Sequence, residues 1–127
     1  MKYLYLIAGG SIGTLLRFLT SSWMLEAFPT SKFPWGTFFI NLSGSLVIGI
    51  LAGLNQTSEL NINLRLFLFA GLLGGFTTYS GYALETFSLI KSNNLTLALA
   101  YILSTTLLGV LLAAAGFWMS SSISTLK

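Results

Sequence analysis

The chain contains no cysteine and no histidine. Disulfide staples, thiolate nucleophiles, zinc sites built on those side chains and imidazole proton shuttles are therefore excluded, and most catalytic constellations go with them. Charge is scarce as well: six basic and three acidic residues among 127, or 7%, against 54% apolar. A soluble domain carries about 25% charged residues, so this chain is not an ordinary soluble domain. Its net charge of +3 comes from basic residues scattered among apolar segments, which form no basic face for nucleic acid. A small cationic excess instead suits a protein in contact with anionic lipid, and the lipid bilayer is the expected environment.

What the sequence does have is long uncharged stretches. Charge-free runs of 26 residues (33 to 58), 19 (66 to 84) and 35 (92 to 126) separate the few ionisable groups. A membrane-spanning helix needs roughly 20 apolar residues at about 1.5 Å each, so the chain reads as one all-α integral membrane domain, 1–127, of four transmembrane helices. They are placed at about 3–25, 35–57, 66–90 and 95–119. The breakers fall between them: Pro29 and Pro34 with Glu26, Thr30, Ser31 and Lys32, then Asn55 to Asn63, then Lys91, Ser92, Asn93 and Asn94. Trp23, Trp35 and Trp118 lie near span ends, where an amphipathic ring favours the headgroup level. The first apolar stretch runs from Tyr3 past Arg17 to Leu25 without the pattern of a cleaved signal peptide.

Four spans put Lys2, Arg65 and Lys127 on one side and Lys32 and Lys91 on the other. Three against two gives the positive-inside rule almost nothing to act on. Insertion in both orientations is expected, and the simplest closed assembly of such chains is an antiparallel two-fold dimer. The other reading of the same balance is that one extra charge, or contacts with flanking lipid, fixes a single orientation.

Several polar residues sit where lipid would not tolerate them unpaired. Thr37, Asn41 and Ser45 recur every four residues in the second helix and continue into Gly49 and Gly53, a stripe suited to close helix packing. Asn41 has two readings, an interhelical hydrogen-bonding group or a donor to an anion, because a mid-span carboxamide costs several kcal/mol if left unpaired. Tyr101 and Thr105 lie one turn apart in the fourth helix. They either line a polar path or bond back to their own helix. The middle of the third span, Gly74-Gly75-Phe76-Thr77-Thr78, combines adjacent glycines with adjacent β-branched residues and is expected to break or kink. Irregular backbone at that depth survives only where it is buried in protein or lines a cavity, and its carbonyls suit a small hard cation such as sodium. Arg17 and Glu85 are the charges inside spans. Each is either a side chain that snorkels to the surface or a charge on a pathway, Arg17 as a positive vestibule group that concentrates anions and Glu85 as a nearby acid.

The third span, Gly74-Gly75-Phe76-Thr77-Thr78-Tyr79-Ser80-Gly81-Tyr82-Ala83-Leu84-Glu85, closely resembles the signature of the Fluc (CrcB) fluoride channels: Gly-Gly-x-Thr-Thr-Phe-Ser followed by Thr-Phe-Ser-x-Glu. Gly9-Gly10-Ser11-Ile12-Gly13-Thr14-Leu15-Leu16-Arg17, Gly36-Thr37 with Asn41 and Gly44, and Tyr101 with Thr105 and Gly109 extend the similarity over all four helices. The resemblance implies passive, fluoride-selective export across the plasma membrane by an antiparallel dimer with two pores. It further implies a structural sodium ion held by the Gly74 and Thr77 carbonyls, a pathway lined by Asn41, Ser80, Tyr101 and Thr105, and Arg17 near a vestibule. The two pore phenylalanines of the family align with Tyr79 and Tyr82, which keep the electropositive ring edge and add a hydroxyl. Gly81 and Ala83 replace hydroxyl residues of the pattern. Two other functions fit a chain of this size: a small four-helix multidrug antiporter, which needs an acid in the first helix where this chain has only Arg17, and a pore-degenerate subunit paired with a paralogue. No enzymatic activity is expected.

Overall fold

The protein is described by a computed structural model covering residues 1–57 and 60–124; Glu59 and Lys127, which entered the charge reading above, lie outside the described residues. Four helices are long and apolar enough to cross a membrane, and no strand occurs among the described residues. The first is α1, Lys2–Ala27, and the second α2, Trp35–Thr57. The third span is built in two parts. Its first, α3, begins as Ile62–Arg65, widens into a π-helical stretch Leu66–Leu73 and closes with the turn Gly74–Phe76. Two extended residues, Thr77 and Thr78, separate it from α4, Tyr79–Lys91. The last helix, α5, is Leu95–Ser124.

These bounds differ from the sequence reading at two places. The third span starts four residues earlier than position 66, because Asn61 caps it, its side-chain oxygen accepting from the Leu64 N–H at 2.9 Å. The fourth helix runs past 119 through a run of serines, whose hydroxyls are taken up by their own helix: Ser120 donates to the Gly116 carbonyl at 2.9 Å and Ser122 to that of Trp118 at 2.8 Å. Between α4 and α5 the chain reverses at Asn93, which takes a left-handed φ of 58°, while the Asn94 N–H returns to the Leu89 carbonyl at 2.9 Å.

The spans pack mainly as two pairs, α1 with α3 and α2 with α5. Glycines set both. Gly9 on α1 meets Gly71 on α3, Gly13 meets the Leu72 and Phe76 backbone, and Gly75 meets Gly10, so that backbone lies against backbone. A Cβ on Gly75 would stand 2.6 Å from the Gly10 carbonyl, and one on Gly71 2.9 Å from that of Leu6. In the second pair, Gly49 and Gly53 lie against the backbone of Ala113 and Phe117, and a Cβ on Gly116 would come within 2.5 Å of the Leu46 carbonyl. The shorter α4 rests on α5 with a lighter contact to α2. At that end, Phe38, Leu89, Ala98 and Tyr101 form a buried cluster flanked by Phe33 and Trp35. Trp35 is thus packed in protein, its ring centroid 4.5 Å from that of Phe33, whereas Trp23 and Trp118 are exposed. Most other large apolar side chains of α1 and α5 also face outward, as lipid solvation permits.

Candidate polar cavity at the helix break

The break in the third span is held open by side chains that replace its missing helical hydrogen bonds. In a continuous helix the Thr78 N–H would donate to the Gly74 carbonyl and the Gly81 N–H to that of Thr77. Instead, the Thr78 N–H donates to Asn41 Oδ1 at 3.0 Å, and Asn41 Nδ2 donates to the Thr78 carbonyl at 3.1 Å. The Gly81 N–H donates to the Thr78 hydroxyl at 3.1 Å, which caps α4. Leu73 retains two bonds, from the Thr77 N–H and from its hydroxyl, each 2.9 Å. The Gly74 and Thr77 carbonyls are thereby deprived of their regular donors, and these are the two oxygens assigned above to a cation. No group of three or more Asp or Glu side chains able to hold a metal occurs among the described residues.

Asn41 therefore makes an interhelical contact, with a backbone amide as its partner. One of its two N–H donors goes to Thr78 and one remains. That side chain borders a cavity of about 580 Å³, which also collects Gly74, Thr77, Tyr79, Tyr82 and Thr105. Thr105 is 9% exposed, and its hydroxyl is a buried polar oxygen without a hydrogen-bonding partner. It does not bond back to its own helix. A buried unsatisfied hydroxyl costs about 1–3 kcal/mol, and Thr105 is one of the residues that line the cavity.

The aromatic residues continue from this cavity toward the opposite end of α4. The rings of Tyr79 and Tyr82 are 6.0 Å apart and that of Tyr82 lies 5.2 Å from Tyr101. Tyr79 is 81% exposed, so the cavity is open on that side of a single chain. Tyr101 is fully buried and its hydroxyl donates to Glu85 Oε2 at 2.8 Å, while the Thr37 hydroxyl donates to Oε1 at 2.8 Å. Glu85 is thus clasped by hydroxyls from α5 and α2. Read from the sequence as a snorkelling side chain or an acid near the pathway, Glu85 gave no sign of these two donors. Tyr101, expected on the pathway, gives its only hydroxyl proton to Glu85, lies in the buried apolar cluster and lines neither cavity; it reaches the cavity wall only through its ring contact with Tyr82.

Beyond Glu85 lies a second cavity of about 670 Å³, bounded by the 28–37 segment and the 88–94 end of α4, with Lys32 as its basic residue. Arg17, expected at a vestibule, is half-buried and lines neither cavity. Ser80 is exposed, with its hydroxyl 3.4 Å from that of Thr78, and is absent from the wall of the 580 Å³ cavity. The site assembled in one chain is thus Asn41, Tyr79, Tyr82 and Thr105 around the break, with Tyr101, Glu85 and Thr37 stacked behind it.

These features define a small, all-helical, multi-pass membrane protein whose buried polar groups converge on a cavity beside a broken helix. A family model described as "CrcB-like protein, Camphor Resistance (CrcB)" matches residues 4–117. A protein of Parabacteroides distasonis named "Fluoride-specific ion channel FluC" is 38% identical over 126 residues, covering 99% of this chain and 98% of its own. Relatives of the same name in Anaeromyxobacter dehalogenans and Thermus thermophilus are 46% identical over 114 residues (89% of each chain) and 37% identical over 122 (96% of this chain, 95% of theirs). The chain belongs to the CrcB family.

Proposed function

We propose that the chain is a fluoride-selective ion channel that lets cytoplasmic fluoride leave the cell passively, working as an antiparallel dimer in the plasma membrane. The observation that carries the reading is the buried, unpartnered hydroxyl of Thr105, a residue that lines the cavity with Asn41, Tyr79 and Tyr82. Fluoride is small and strongly hydrated, and a pore must replace its water with donors while avoiding a tight trap. Thr105 donates from its hydroxyl, Asn41 from its remaining N–H, and the tyrosines from their ring edges, where the aromatic quadrupole is positive. Each contact is weak by itself, and together they pass the ion along.

The same reading covers the dimer and its sodium ion. Tyr79, 81% exposed, and the open side of the cavity need a second chain to close the path against lipid. The near-equal charge balance of the two faces favours an inverted copy. The Gly74 and Thr77 carbonyls, freed of their helical donors, fit a hard cation, two from each copy. When bound there, sodium supplies a fixed positive charge that joins the two broken helices. Because the chain has no native cysteine, Ser92→Cys introduces a unique label site in the turn before α5. Impermeant maleimide should reach it from both sides of the membrane in intact cells and inverted vesicles; labelling from one side alone would reject the antiparallel dimer. Expression in bacteria stripped of fluoride export should restore growth on fluoride, and no restoration by a well-expressed protein would reject the channel reading.

A further inference from the structure

The Asn41 carboxamide bonds both backbone polar groups of one residue at the break, accepting from the Thr78 N–H at 3.0 Å and donating to the Thr78 carbonyl at 3.1 Å. That N–H is the donor the Gly74 carbonyl would receive were the helix continuous. Asn41 also lines the cavity that holds Tyr82 and Thr105. The break itself is narrow: Thr77 and Thr78 are extended, and helical structure resumes at once on both sides. Asn41 and the Thr78 hydroxyl take up the two amides, Thr78 N–H and Gly81 N–H, that would otherwise join the halves.

We infer that Asn41 is a positioning residue for the cation site: by capturing the Thr78 N–H it keeps the Gly74 carbonyl free, and so ties the anion-lined cavity to the sodium-binding backbone through one side chain. The inference rests on the proposed sodium site. Without Asn41, the Thr78 N–H has lost its acceptor at membrane depth, where an unsatisfied amide is costly, and the nearest replacement in sequence is the Gly74 oxygen. Closing that bond consumes a cation ligand. The effect of a substitution therefore depends first on whether the new side chain still accepts a hydrogen bond, and a negative charge there favours the cation.

Two variants separate this role from general packing and from contact with fluoride. Asn41→Ala removes the acceptor. Asn41→Asp retains an acceptor for the Thr78 N–H, yet places a negative charge on the anion cavity. The first readout is the sodium concentration giving half of the sodium-dependent thermal stabilisation of the purified protein, with N-methylglucamine replacing sodium; the second is fluoride efflux from liposomes. Asn41→Ala should raise the half-saturating sodium concentration at least about tenfold. Asn41→Asp should not raise it by more than about threefold, and should lower it if the charge reaches the ion, while abolishing efflux. A merely structural role would lower the unfolding temperature of Asn41→Ala by the same amount with and without sodium, leaving half-saturation unchanged, and that would overturn the inference. If Asn41→Ala does not fold, Asn41→Asp still decides, since loss of sodium stabilisation together with efflux would refute the acceptor argument. Wild-type protein with no sodium-dependent stabilisation would instead refute the sodium site and the inference with it.

Discussion

Replacing Gly13 with alanine should unfold the α1–α3 pair more readily than any other single methyl added to α1. A Cβ at Gly13 would overlap the Leu72 carbonyl oxygen and stand 2.9 Å from the Phe76 nitrogen. Both atoms are backbone, in the helix that leads into the break, so neither can swing aside as a side-chain tip can. Overpacking of this kind costs about 3 kcal/mol, at the upper end of the usual range, because the two helices must separate along their whole contact. Alanine's better helix propensity returns about 1 kcal/mol, leaving a net loss of about 2 kcal/mol. Gly10 provides the internal comparison: a Cβ there meets nothing within 4 Å in the chain. Gly10→Ala should be neutral or stabilise by up to about 1 kcal/mol, so the two variants, three positions apart on one helix, should differ by about 3 kcal/mol. Thermal unfolding of the detergent-solubilised proteins, followed by the fraction that remains monodisperse on size exclusion, reads the difference. A Gly13→Ala protein as stable as wild type would refute the backbone-to-backbone packing of α1 on α3.

Tyr79→Phe and Tyr82→Phe keep the ring edges and remove the hydroxyls, so fluoride efflux from liposomes should be retained or increased; inactive variants beside an active wild type would make the hydroxyls the essential donors. Thr105→Val is nearly isosteric and deletes a buried hydroxyl that has no partner, so the protein should be as stable as wild type or more so. Its efflux should fall at least about tenfold, the worth of one charge-assisted hydrogen bond of about 1.5 kcal/mol or more. Lost stability with unchanged efflux would show that this hydroxyl serves the fold and plays no part in the path.

The spans were legible because nine charges in the whole chain leave uncharged runs that only a membrane can solvate. The break was legible too, since Gly74-Gly75 and Thr77-Thr78 weaken the helix from two directions at adjacent positions. The π-helical stretch Leu66–Leu73 was not. Its sequence, LFLFAGLL, is uniformly apolar and carries no periodic signal to separate one helical pitch from another. The glycine pairs of α1 and α3 also escaped notice, because each is an ordinary four-residue spacing until the other helix is laid against it. Asn41 stayed ambiguous for a related reason. Its partner is a main-chain amide 37 residues away that is unpaired only because the helix breaks there, so no side chain in the sequence announces it. Glu85 was read as a snorkelling or pathway acid, and its two hydroxyl donors, one of them on the fully buried Tyr101, lie on other helices at separations of 16 and 48 residues. Arg17 lines neither of the two cavities of the single chain, since depth along a helix does not say which cavity a face adjoins.

The central claim is that the purified chain alone moves fluoride and discriminates it from other halides. Liposomes loaded with potassium fluoride or potassium chloride, reconstituted with the protein and opened to potassium by valinomycin, test it with ion-selective electrodes. Rapid fluoride efflux with chloride retained, and neither ion released from protein-free liposomes, is the predicted result. Fluoride held as tightly as in the protein-free controls, or chloride lost as fast as fluoride, would contradict it.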